Sequence, residues 1–293
     1  MAAPRLNLPT AAQLQAFARL AAPLLLERQP RAQGQRASGR RAGNGLQHLD
    51  HRPYRIGDPL RHIDWRASAR WGEPLLRRFE AESSGDWCLL LDASASMAVG
   101  GKWPLALQAA CALAYAVLQL GHRVALARVG RTLQPLLPLG RGAPHYARLV
   151  RSLGASALPN DPALHWAAAQ PWLVPAANTV LLSDFLAEDA GTLALQQLLP
   201  RSRTLHALQL RDEAAEFPAL PLGQELELVD VESGATRRLR VDPATRSGAV
   251  ARREQLAERL RAQCARQGVA YSDWPVGASW SRQWLRHLAR ARC

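Results

Sequence analysis

Two hydrophobic periods alternate along the chain. Short apolar runs predict strands at Trp87–Leu91, Thr179–Ser183, Thr204–Leu210 and Val269–Asp273. Arg123–Val129 and Thr132–Leu137 read as a hairpin joined at Gly130-Arg131, and Glu225–Val231 with Thr236–Val241 as a second one around Ser233-Gly234. Helical spacing predicts helices over Lys102–Leu120, Ala143–Leu153, Pro162–Leu173, Thr192–Leu199, Ser247–Gln267 and Ser281–Ala291. A further helix is expected from a Thr10 cap to about Arg28, bent at Pro23. Gln29–Gly45 reads as a mobile basic loop, Leu46–Trp71 shows no clear period, and Pro74–Glu82 resembles an exposed strand. Strands alternating with helices imply an α/β domain with a mostly parallel central sheet covered on both faces.

Composition supports a packed domain. Of 293 residues 48% are apolar and nine are Trp, which excludes global disorder. Lys plus Arg is 37 against 24 Asp plus Glu, a net charge of +13, and Lys102 is the sole lysine. The arginine excess follows the same coding bias as the Ala and Leu content, so it is discounted as a functional signal. The middle of the chain is nearly neutral and the ends are basic, which permits an acidic partner, a nucleic acid or an anionic membrane surface. Cys88, Cys111, Cys264 and Cys293 are far apart and form no C-x-x-C pair. That spacing fits a reducing cytoplasm better than a disulfide framework. The N-terminus lacks a signal-peptide layout. The uncharged stretch Trp103–Gly121 approaches membrane-span length, yet its glutamines and alanines favour a buried helix.

In open α/β sheets ligands bind beyond the carboxyl ends of the strands, so the residues following the strands carry the candidate chemistry. The first central strand ends WCLLLD-ASAS and a later one ends TVLLSD-F. Asp92, Ser94 and Ser96 recur every second residue and can face one point, where Asp184 from a neighbouring strand adds a fourth oxygen. Hard oxygen donors without imidazole or thiolate match Mg²⁺ or Mn²⁺. The alternative is that Asp92 and the serines are plain cap and turn residues.

DASAS resembles the metal-ion-dependent adhesion site of von Willebrand factor A domains, and LLSDF resembles that fold's later Asp-bearing strand end. The upstream string YRIGDPLRHIDWRASARWGEPLLRRFEAE, with DASAS, LLSDF and the hairpin ELELVDVESGATRRLRVD, is similar to the bacterial domain-of-unknown-function-58 family. The resemblance implies a von Willebrand factor A-like fold and an adaptor or chaperone-like role beside a MoxR-type AAA+ ATPase or its client. Some members carry two N-terminal membrane helices, and no such segment is expected here. The full metal-site pattern includes a threonine between the two Asp-bearing strands. Asn160-Asp161 stands in its place, so Asp161 is either a further ligand or an N-cap for the helix expected at Pro162.

Asp58, Arg61, Asp64, Trp65 and Arg70 form a charged signature that serves either as a partner-binding surface or as Arg–carboxylate pins for an irregular segment. The Arg28–Arg41 loop lacks the interleaved aromatics of a nucleic-acid binder, and His48, His51 and His62 lack a further ligand at zinc spacing. No P-loop and no G-x-S-x-G elbow occurs, so no catalytic set is evident. The expected organisation is an N-terminal helix and basic arm over 1–45, a signature segment packing on the core over 46–85, and the A-like domain over 86–293 with its hairpin at 224–242. The function expected is metal-assisted protein binding. A magnesium-dependent phosphohydrolase with Asp92 as nucleophile and a basic nucleic-acid binder are the alternatives.

Overall fold

The computed structural model describes residues 8–26, 42–54, 63–80, 85–187, 189–216, 223–232 and 234–291. In chain order the elements are α1 (Ala11–Leu26), β1 (Ala42–Pro53), α2 (Trp65–Trp71), β2 (Leu75–Glu80), β3 (Asp86–Asp92), α3 (Lys102–Gln119), β4 (Arg123–Val129), β5 (Leu133–Gly140) and α4 (Gly142–Gly154). They continue with β6 (Ala177–Ser183), α5 (Ala190–Leu198), β7 (Ser202–Arg211), α6 (Glu213–Glu216), β8 (Glu225–Val229), β9 (Thr236–Arg240), α7 (Pro243–Gln267), β10 (Ala270–Pro275) and α8 (Trp280–Arg290). The chain divides into two units, one made of Met1–Arg28 with Asp86–Cys293 and the other of Gln29–Gly85.

The larger unit is built on a six-stranded sheet in the order β10-β7-β6-β3-β4-β5. Every pairing is parallel except that of β4 with β5. β3 and β6 are buried along their whole length, as central strands covered on both faces must be. Their alternating side chains divide between two cores. Leu89 and Leu91 pack with α3, α1 and α8, while Cys88 and Leu90 pack with Trp166, Phe185 and residues of α5 and α7. This is the expected α/β arrangement.

The uncharged helix α3 is buried on nearly all sides. Its contacts with α1, α4 and α8 explain why it carries no charge between Trp103 and Gln119. No helix among the described residues is long and apolar enough to cross a membrane. α1 buries Leu14, Phe17, Ala21 and Leu25 on one stripe. The three larger side chains contribute about 1.5–3 kcal/mol each by leaving water. Thr10 starts this helix reciprocally: its backbone N–H donates to Gln13 Oε1 at 2.9 Å, and its hydroxyl accepts from Gln13 N at 3.4 Å.

Three expectations are corrected. First, residues 42–45 and part of the segment read as periodless form β1, paired antiparallel with β2. Register shifts between Gly43 and His48 and between His48 and Asp50 interrupt the alternation that would have announced a strand. Residues 29–41 lie outside the described residues. Second, the same segment contains α2, too short to show a helical period. Asp64 caps it by accepting from Arg66 N and Ala67 N, both at 3.1 Å. Third, Pro162–Leu173 is not a helix and contains only a 3-10 turn over Trp166–Ala169. Its backbone is committed elsewhere: Asp161 O accepts from Ala95 N at 2.9 Å, and His165 N donates to Gly130 O at 2.9 Å.

Candidate functional site

β3 lies between β4, the next strand in the chain, and β6, reached only after a long crossover. The sheet order therefore reverses at β3, and the crevice beyond the carboxyl ends of β3 and β6 is the position where such sheets bind ligands. Leu91 pairs with Leu182, so Asp92 and Ser183 leave the sheet side by side. Asp92 Oδ2 accepts from Ser183 Oγ at 2.5 Å, and Asp92 Oδ1 accepts from Ser94 N at 2.8 Å. That second bond turns the chain so that the Ser94 and Ser96 hydroxyls stand 3.1 Å apart. Asp92, Ser94, Ser96 and Asp184 are all buried.

Asp92 is a buried carboxylate on which no cationic side chain acts among the described residues. Burial, reinforced by the Asp184 charge, pushes its carboxyl up to about 7 against the pull of the Ser183 and Ser94 hydrogen bonds. Asp184 is treated differently. Lys102 Nζ donates to Asp184 Oδ2 at 2.7 Å and lies 3.4 Å from Glu216 Oε1. Arg253 Nη1 in turn meets Glu216 Oε2 at 2.9 Å. Lys102, Glu216 and Arg253 were not among the residues expected from sequence. The one available signal was compositional, a lone lysine in an arginine-rich chain at the start of an uncharged helix.

The β8–β9 hairpin also reaches the site. Val231 joins Ser96, Lys102, Glu216, Arg253 and Leu256 around a cavity of about 430 Å³. Next to Val231, Glu232 is raised above the usual carboxylate range, first by burial and then by Asp184 and Asp230, while Ser96 and Lys102 pull it back. The hairpin was legible in sequence, but its approach to the site was not.

Asp161 pairs with Ser94 in an isolated parallel bridge. Its Oδ2 accepts from Arg131 N at 2.9 Å and its Oδ1 from Ala163 N at 3.3 Å. The side chain thus fastens the loop after β4 and caps no helix, while the Asp161 backbone holds the loop after β3. A Cβ on Gly130 would fall 2.1 Å from Asp161 Oδ2, so this close approach requires glycine. Of the signature residues, Asp58 and Arg61 lie outside the described residues. Asp64 caps α2 in the smaller unit, where Arg70 is exposed and Trp65 and Trp71 are 68% and 76% exposed.

One buried carboxylate without a cationic neighbour among the described residues and two adjacent hydroxyls suit a hard ion that keeps open positions. Asp184 is engaged by Lys102, and the Asp161 carboxylate is engaged by backbone amides. Among the described residues, no three His, Cys, Asp or Glu side chains gather as a metal set. The fit therefore rests on Asp92, Ser94 and Ser96, with Asp184 behind them.

The profile of the family described as "Protein of unknown function DUF58" matches residues 50–259. The chain belongs to this family. The matched span runs from β1 to α7 and contains both the signature segment and the crevice. The uncharacterized proteins Rv1480 of Mycobacterium tuberculosis and Mb1516 of Mycobacterium bovis are each 26% identical over 232 residues, covering 75% of this chain and 72% of their own length. Among solved structures, the conserved hypothetical protein BatB from Bacteroides thetaiotaomicron is similar at 12% identity and a TM-score of 0.38, over 71% of this chain and 98% of that one. A von Willebrand factor type A structure from Catenulispora acidiphila is similar at 14% identity and a TM-score of 0.33, over 47% of this chain and 35% of that one.

Proposed function

We propose that this DUF58 protein is a protein-interaction module that recognises an acidic side chain of its partner with the help of Mg²⁺ or Mn²⁺. The observation that carries the reading is Asp92, buried without a cationic neighbour among the described residues, beside the paired hydroxyls of Ser94 and Ser96 at the switch point of the sheet. A divalent ion there supplies a Lewis-acidic point for a partner's carboxylate. The protein's own residues do the rest. Asp92 is aimed by Ser183 and by the Ser94 amide, and the 3-10 turn over Ala95–Ala98 presents Ser96 toward the open cavity. With one carboxylate and two hydroxyls against the roughly six oxygens that Mg²⁺ prefers, positions remain for an outside ligand. The basic surface, +13 overall, favours an acidic approach. Family resemblance nominates a MoxR-type AAA+ ATPase or its client, met in the cytoplasm, as the partner.

The test is the affinity of the full chain for a MoxR-type ATPase from the same genome, measured with Mg²⁺, with chelator, and for Asp92→Ala and Ser94→Ala. Affinity that falls in the last three conditions while every variant stays folded supports the reading. Equal affinity in all four refutes it.

A further inference from the structure

We propose that Lys102 is the resident cation of the Asp184 half of this site, neutralising Asp184 and Glu216 and confining a divalent ion to Asp92, Ser94 and Ser96. The inference deepens the cation-assisted reading above and rests on it for the Asp92 half alone.

Lys102 is 0% exposed, and a lysine is almost never found so buried unless it is paired. Its place is unfavourable for the helix itself. It is the first residue of α3, where the macrodipole repels a positive charge. What holds it there is the carboxylate pair, at 2.7 Å from Asp184 and 3.4 Å from Glu216. Those acceptors come from the end of β6 and from α6, so the ammonium ties a strand end to a helix. Glu216 is itself fixed, by Arg253 on one oxygen and by the Asp212 amide at 3.2 Å on the other.

The residue type carries the same message. Lys102 is the sole lysine among 37 Lys and Arg residues. A compact ammonium acts as a point charge with rotatable donors, whereas a guanidinium is a wide planar fork. A fully enclosed position between two carboxylates from different elements suits the point charge.

Removing the ammonium would leave the Asp184 carboxylate without its counter-charge beside Asp92, while Glu216 keeps Arg253. Such a carboxylate set suits Mn²⁺ or Mg²⁺ better than Asp92 and two hydroxyls do. Lys102 therefore governs how strongly the site holds metal, and it keeps the wild-type site weakly loaded and open to a partner's carboxylate.

The experiment titrates MnCl₂ into the full-length wild type, Asp92→Asn and Lys102→Met, reading affinity by calorimetry and the metal-induced rise in Tm. Lys102→Met is expected to be less stable than wild type in chelator. It should bind Mn²⁺ at least about tenfold more tightly, because a buried like charge beside the ion has gone. If Lys102→Met does not fold in chelator, Lys102→Gln, which removes the charge and keeps an N–H donor for Asp184, takes its place with the same expectation. Mn²⁺ affinity no higher than wild type in the folded variant overturns the inference. The earlier reading is decided separately, by wild type against Asp92→Asn. Tight Mn²⁺ binding by Lys102→Met with none by wild type sinks the earlier reading and upholds Lys102 as the resident cation.

Discussion

Substituting Asp92 by asparagine removes one buried charge and keeps the shape of the site. The new side chain retains an oxygen for the Ser94 amide, and its own N–H can face Ser183 Oγ in place of the bond that Asp92 accepts there. The Asp92 carboxyl moves from an ordinary 3.8 to about 7 on folding. A raised carboxyl favours the protonated form in the folded state. Its contribution to stability is thus fully present below about pH 3.8 and is lost as pH rises through about 7. At about 1.4 kcal/mol per pH unit, this gap amounts to roughly 4 kcal/mol in the metal-free protein. The uncharged amide carries no such pH-dependent loss. In chelator, Asp92→Asn should therefore gain on wild type from pH 5 to about pH 7 and level off by pH 8, by an amount on the order of 2–4 kcal/mol. Urea denaturation at four pH values measures the difference directly. Excess Mg²⁺ should reverse it at pH 8, because only the wild type holds an ionised carboxylate for the ion. A gap between the two proteins that stays constant from pH 5 to pH 8 would refute Asp92 as a buried charge without a cationic neighbour among the described residues.

Gly130→Ala should cost about 1–3 kcal/mol, because the added Cβ meets the Asp161 carboxylate and must push it off the loop it fastens; thermal denaturation reads the loss. Phe17→Ala should cost about 3–5 kcal/mol if α1 is an integral part of the core, and an unchanged Tm would show that it is not. His287→Ala breaks a buried chain in which His287 links His206 Nδ1 at 2.8 Å to Ser272 Oγ at 2.7 Å. Stranding these groups should cost about 1–3 kcal/mol or more, read by urea denaturation, and should leave Mn²⁺ binding unchanged.

Much of the architecture follows from local pattern. The fully buried runs at Leu89–Leu91 and Val180–Leu182 read as central strands, and the long uncharged stretch after Lys102 favoured a buried helix with packed neighbours over a membrane span. The aspartates closing the two strands marked the crevice, since a period of two and a parallel sheet place their ends together. Where the period is interrupted, the pattern fails for a physical reason. Bulges break the alternation of β1, α2 is too short to show its period, and Asp161 with its neighbours spends its backbone bonds on other loops.

The electrostatic state of the site was decided only by the tertiary fold. Local pattern treats Asp92 and Asp184 as equivalent strand ends. Folding gives Asp184 an ammonium from 82 residues away and, among the described residues, gives Asp92 only hydroxyls and an amide. Glu216, Arg253 and the hairpin tip arrive from still more distant parts of the chain. Periodicity reports which face a residue occupies, because burial is local along an element. The charge that a buried carboxylate meets depends on which side chains the topology brings within a few ångströms, and that spacing is not written in any one segment.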